Sequence, residues 1–82
     1  MKDSLTQRIK QVAANIRKIR EYRNYTQEYL AAKLSISQNA YSKIELGYTR
    51  ITVERLFHVA DILGVDPVEI INNDQSPQLQ IV

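Results

Sequence analysis

Residues 26–47 read TQEYLAAKLSISQNAYSKIELG, and the way this stretch folds decides how the rest of the chain is arranged. Thr26 is a good helix N-cap, because its side-chain oxygen can accept a hydrogen bond from an orphan backbone N–H of the first turn. Leu30, Ala31 and Leu34 then recur at the spacing of one helix face. Ser35 and Ile36 form a break. Ser37 caps another helix, running to about Leu46, with Ala40, Tyr41 and Ile44 turned inward and Gly47 as its stop. Its other face is unusual. Solvated helices favour Glu, Lys and Arg for their propensity, yet here Gln38, Asn39 and Ser42 stand beside Lys43.

The flanking segments extend the helical pattern. Upstream, Leu5, Ile9, Val12, Ile16 and Ile19 form one stripe of a long helix over residues 4–23, with Asn24 as its stop. Downstream, residues 47–51 are a loop. Thr52 caps a fourth helix with Val53, Leu56, Phe57, Ala60 and Leu63 on its core face and Gly64 at its end. Asp66, Pro67 and Glu69 are a strong start signal for a short fifth helix. From Asn72 the chain turns polar, and its last residues, LQIV, fit either a strand or a frayed tail. The expected class is all-α, a compact bundle of five helices in one domain over residues 1–71, with residues 72–82 as a tail.

Composition narrows the function. The chain has 82 residues and no cysteine, so disulfides and thiolate metal sites are excluded. It has no apolar run near 18 residues and no signal-peptide core, which predicts a soluble, cytoplasmic protein without membrane contact. The net charge of +2 hides an asymmetry. Residues 1–50 carry ten Lys/Arg against four Asp/Glu, a balance of +6, whereas residues 51–82 carry one Arg against five acids, a balance of −4. One face is therefore suited to an anion, unless the clustering is only of solvated charges. No catalytic chemistry is evident. There is one His, and both glycines sit where helices end, so no phosphate-cradling loop exists. His58 with Glu54 and Asp61 is read as a solvated face or an interface rather than a metal site, and no cofactor is expected.

Two short helices joined by a tight turn make a helix-turn-helix pattern. In detail, IRKIRE (16–21), TQEYLAAKLSIS (26–37), QNAYSKIELG (38–47) and VERLFHVADILGVDPVEI (53–70) resemble the phage-repressor/Cro-like, or XRE, helix-turn-helix family. The lambda-repressor-like fold and sequence-specific binding of double-stranded DNA, as a repressor-type transcriptional regulator, are what this resemblance implies. In its layout the chain resembles the single-domain members, such as the controller proteins of restriction–modification systems.

The chemistry agrees with that implication. Gln and Asn amides pair bidentately with an adenine edge, and Lys reaches guanine acceptors in the major groove. The resemblance assigns base reading to Gln38, Asn39, Ser42 and Lys43. It assigns backbone phosphates to Gln27, Ser37, Tyr48 and Arg50, with Gln27 also bracing Gln38. Arg17 and Lys33 are weaker phosphate candidates. Arg20 and Glu45 are implied to form a partly buried ion pair between the first and third helices. The chain departs from the family pattern at Ser35, where the turn often holds Gly, so a differently shaped turn is expected. Tyr29 stands where a Glu often completes a capping box. Tyr41 replaces an aliphatic residue, and its hydroxyl needs a partner, with core, phosphate contact or both left open.

Val59, Ile62, Val65, Pro67 and Ile70 widen the apolar stripe of the fourth and fifth helices beyond what one core needs. They are expected to form a homodimer interface, since two-fold symmetry matches a pseudo-palindromic operator. The tail is a further candidate for that contact. The competing reading is a protein-interaction module, such as an antitoxin-like domain. Control by a small molecule is not expected, because no effector domain is recognisable.

Overall fold

The computed structural model describes residues 2–72. Five helices follow in order: α1 (Lys2–Tyr22), α2 (Gln27–Leu34), α3 (Gln38–Glu45), α4 (Val53–Leu63) and α5 (Pro67–Asn72). No strand occurs among the described residues. No helix among them is long and apolar enough to cross a membrane. The two possible roles of the terminal segment lie outside the described residues.

Local chemistry sets the boundaries. Thr26, Ser37 and Thr52 are extended N-caps whose side chains accept from the backbone N–H three residues on, at 3.0 Å in each case. Asp66 accepts from Val68 N at 2.9 Å and so opens α5. At the other ends the chain turns left-handed. Asn24 (φ 63°), Ser35 (φ 61°), Gly47 (φ 79°) and Gly64 (φ 73°) follow α1, α2, α3 and α4. The turn expected to differ because Ser replaces Gly therefore keeps the left-handed form, at a cost of about 1 kcal/mol for the non-Gly residue. The Ser35 and Ile36 amides close it onto Ala32 O and Ala31 O.

The core joins all five helices. Ile16 and Ile19 of α1 pack with Leu30, Ala31 and Leu34 of α2, Tyr41 and Ile44 of α3, Val59, Ala60 and Leu63 of α4, and Ile70 of α5. The stripe predicted for α1 holds from Val12 onward, whereas Leu5 is exposed because the first turns of this helix extend past the bundle. Ala40 of α3 is likewise exposed, not inward.

The rotation of α4 also differs from expectation. Val53 and Phe57 are exposed, at 66% and 54%, while Val59 is wholly buried. This helix is apolar around much of its circumference, so periodicity alone does not choose which edge turns inward. Packing against α1, α2 and α5 turns Val59 in and Phe57 out. Two members of the expected dimer interface, Val59 and Ile70, are 0% exposed and belong to the core; neither can touch a second copy. Ile62, Val65 and Pro67 are half-buried.

Ile70→Ala is expected to cost about 2–5 kcal/mol through lost burial and the cavity left behind. Phe57→Ala should stay within about 1 kcal/mol of the parent protein, as its side chain is more than half exposed. Urea unfolding of both variants checks the orientation of α4. The reverse order would contradict it.

Candidate nucleic-acid interface

The outward face of α3 is held in place from behind. Glu45, at its last turn, is a buried carboxylate. Arg20 of α1 donates to both its oxygens, Nε to Oε2 at 2.6 Å and the terminal nitrogen to Oε1 at 3.1 Å. Gln27 Nε2 donates to Oε1 at 3.1 Å, and the Tyr41 hydroxyl donates to Oε2 at 2.5 Å. The remaining Arg20 nitrogen donates to Tyr25 O at 2.8 Å. The pair between α1 and α3 thus has the bidentate geometry in which Arg and carboxylate bind best.

Electrostatics follow from this geometry. Burial alone would push the Glu45 carboxyl up, but the hydrogen bonds from Arg20, Tyr41 and Gln27 outweigh it and hold the group below its usual 4.5. The hydrogen bond to Glu45 raises Arg20 further above its already high value, against the opposing effect of burial. Burial, then the bond to Glu45, keeps the Tyr41 phenol un-ionised well beyond its usual range. Tyr41 is fully buried, so its hydroxyl partner is Glu45 and not a DNA phosphate.

Of the four assigned base readers, Gln38, Asn39 and Lys43 are exposed and Ser42 is half-buried. Their side chains make no hydrogen bond to other described residues, so their donors and acceptors face outward unspent. Gln27 has given one amide hydrogen to Glu45, and no hydrogen bond joins it to Gln38. Its bracing acts on Glu45, at the back of α3, instead of on Gln38. Ser37 is exposed and caps α3.

Tyr48 and Arg50 lie in the link after α3, both exposed, Tyr48 at 75%. Gly47 starts this link in a left-handed conformation, where an added Cβ would also press on Lys10 Cγ at 3.2 Å. Between α3, the link and the start of α4 lies a hollow of ≈ 430 Å³, whose lining includes Asn39, Lys43, Arg50 and Arg55.

Two weaker candidates have other partners. Arg17 pairs with Glu21 at 3.1 Å on an exposed surface, and Lys33 sits over the Tyr29 ring at 5.6 Å. Tyr29 itself packs against Tyr25, with ring centroids 4.6 Å apart. Among the described residues no group of three or more His, Cys, Asp or Glu is arranged to hold a metal ion.

Three residues that tie the helices together or line the hollow beside α3 were not singled out from the sequence. Asn15, fully buried, donates to Ile70 O at 2.6 Å and accepts from Gln11 at 2.9 Å, tying α5 to α1. Arg23 donates to Leu63 O at 2.8 Å and Gly64 O at 3.3 Å, satisfying the C-terminal end of α4. Arg55 joins the hollow. A polar residue inside the apolar stripe of α1 was the available signal for Asn15. For Arg55 it was a lone cation in an acidic half.

Glu45→Gln should destabilise the fold by about 3–5 kcal/mol, because it takes the buried counter-charge from the Arg20 guanidinium and leaves only the exposed Glu21 carboxylate, 4.0 Å away. The pH dependence has a defined sign. A carboxyl depressed in the folded state stabilises fully above its unfolded value near 4.5, and that stabilisation is lost as pH falls through the lower folded value. The stability gap between parent and variant should therefore be constant near neutrality and shrink below about pH 4.5. Thermal melts across pH 3–7 measure it; a gap that widens on acidification would contradict the network.

The helix-turn-helix family model matches residues 16–70, which span the last two turns of α1 through α5. The chain is also 35% identical over 69 residues to "Uncharacterized HTH-type transcriptional regulator y4dJ" of Sinorhizobium fredii, covering 83% of this chain and 90% of that protein. No solved structure matches the chain. The family match takes in the capped helix pair, the left-handed turn between its helices and the helices that brace it. The chain therefore belongs to the XRE-type helix-turn-helix family.

Proposed function

We propose that this protein is a sequence-specific double-stranded DNA-binding transcriptional regulator that docks α3 in the major groove. The observation that carries this reading is the outward face of α3. Gln38, Asn39, Ser42 and Lys43 offer amides, a hydroxyl and an ammonium with no intramolecular hydrogen bonds among the described residues, on a helix fixed from behind by Glu45. Such groups match the donor and acceptor pattern of base edges. Ser37, Tyr48 and Arg50, with the start of α2 at Gln27, grip the phosphates beside the groove, setting register without reading sequence. The relative in Sinorhizobium fredii, named an HTH-type transcriptional regulator, supports the regulatory role.

The finer reading is a cytoplasmic homodimer on a pseudo-palindromic operator, its half-sites about 34–36 Å apart. The surface assigned to the dimer in this reading differs from the one expected from sequence. Val53 and Phe57 of α4 and Val68 and Ile71 of α5 are exposed large apolar side chains, and Ile62, Val65 and Pro67 are half-exposed. Apolar surface of this kind is what a protein partner covers. A second copy satisfies it and supplies the two-fold symmetry.

Selection of bound duplexes from a random pool, followed by binding to the winners, tests this reading. Gln38→Ala should relax preference at one base position by about 1–3 kcal/mol. Arg50→Ala should weaken all duplexes by a similar factor. If both variants lose specificity at the same position, the division between readers and grips is wrong. If no sequence is enriched, so is the major-groove assignment.

A further inference from the structure

A second hollow, of ≈ 320 Å³, lies between α1, the link, the first turn of α4 and the last turn of α5. Its walls are largely aliphatic: Ile9 and Val12 of α1, Ile44 of α3, Ile51 of the link, Leu56 of α4 and Ile71 of α5. A cavity of about 150 Å³ holds a benzene, so this one has room for about two aliphatic side chains. The link on its flank is held only near its ends. The amides of Gly47 and Tyr48 bond back to Ile44 O and Lys43 O, and Thr52 O accepts from Leu56 N. Between them, the backbone groups of Thr49, Arg50 and Ile51 make no hydrogen bond among the described residues. Such groups need a partner, in water or in another piece of chain.

The chain leaves α5 at Asn72, one residue past Ile71, and so at the rim of this hollow. Residues 73–78, NDQSPQ, are polar or turn-forming, and Leu79, Gln80, Ile81 and Val82 follow. No charged side chain occurs over residues 75–82. Alternate residues of an extended segment share a side, which puts Leu79 and Ile81 together and Gln80 opposite. The seven steps from Asn72 to Leu79 span at most about 23–25 Å, enough to turn back across a hollow that Ile71 itself lines. We infer that residues 79–81 of the same chain dock in this hollow, Leu79 and Ile81 filling it, and brace the link from behind. One contact then covers two apolar surfaces, the hollow and an LQIV segment of the kind that otherwise pairs with other chains. Tethering makes the encounter intramolecular, which favours this segment over any free partner of equal fit. The docking does not depend on the DNA-binding reading. What rests on that reading is its use: a stiffened link presents Tyr48 and Arg50 to the phosphates.

The test uses the full chain without DNA. Methyl nuclear Overhauser contacts should run from Leu79 and Ile81 to Val12, Ile51 and Leu56, and in a mixture of labelled and unlabelled copies they should stay within one copy. Ile81→Asp should lower the melting temperature by about 4–8 °C and speed amide hydrogen exchange at Thr49, Arg50 and Ile51. Gln80→Asp, on the opposite side of the segment, should change neither. Absent contacts, or equal melts for the two variants, would overturn the inference. Contacts between copies would overturn it in favour of a tail supplied by a second molecule. A melt that falls with link exchange unchanged would remove the bracing. Failure of the parent protein to bind any duplex removes the DNA-binding reading and leaves these outcomes as they are.

Discussion

The Glu45 carboxylate is the constraint on which the rest of the structure depends. It is buried at the end of α3 and accepts four hydrogen bonds, two from Arg20 of α1, one from Gln27 of α2 and one from Tyr41 of α3. A buried charge costs several kcal/mol in lost hydration, and a carboxylate is tolerated there only when its lone pairs are taken up. Each donor sits on a helix that must be correctly placed. Turning α3 by one residue, about 100°, would strand the charge. The orientation of the outward face is therefore settled before any DNA arrives, so binding need not carry the cost of ordering it.

α1 serves as the spine for the other contacts. Asn15 holds the carbonyl of Ile70 in α5, Arg20 holds Glu45 in α3, and Arg23 holds the end of α4 at Leu63 and Gly64. Ile16 and Ile19, between those polar residues, sit in the core. Over residues 15–23 the end of α1 and the residue just past it combine apolar packing with three long-range polar ties, each to a different helix. In a domain of this size, where burial alone leaves little margin, such ties choose one arrangement among several of similar apolar area. The exposed groups of α3 and the cations of the hollow are then set on a frame that does not use them.

Much of this was legible in the sequence, for local reasons. Caps and stops are decided within a few residues, and Thr26, Ser37, Thr52 and Asp66 open their helices where their chemistry predicts. The ion pair of Arg20 and Glu45 was reachable only through the family resemblance, because two residues 25 apart carry no local signal. The rotation of α4 was not legible, since Val53, Phe57 and Val59 are equally apolar and only the packing of neighbours separates them. Tyr41 was ambiguous because a phenol can serve core and hydrogen bond alike, and its partner one turn on became evident only with both groups buried. At Ser35 the short side chain tolerates the left-handed conformation that the turn demands. The phosphate and base assignments remain those of the resemblance. The structure adds where their side chains stand.

The central claim is that DNA meets the outer face of α3 on a frame that is already set. NMR titration of the protein with a duplex recovered by selection measures this most directly, through backbone amide signals and the side-chain NH₂ signals of Asn and Gln. The account predicts large shifts at Gln38, Asn39, Ser42 and Lys43, including the Gln38 and Asn39 side-chain amides, with smaller ones at Tyr48 and Arg50. Signals of Asn15, Ile16 and Ile19 should hardly move. Shifts centred on α5 or the first turns of α1, with α3 silent, would contradict it.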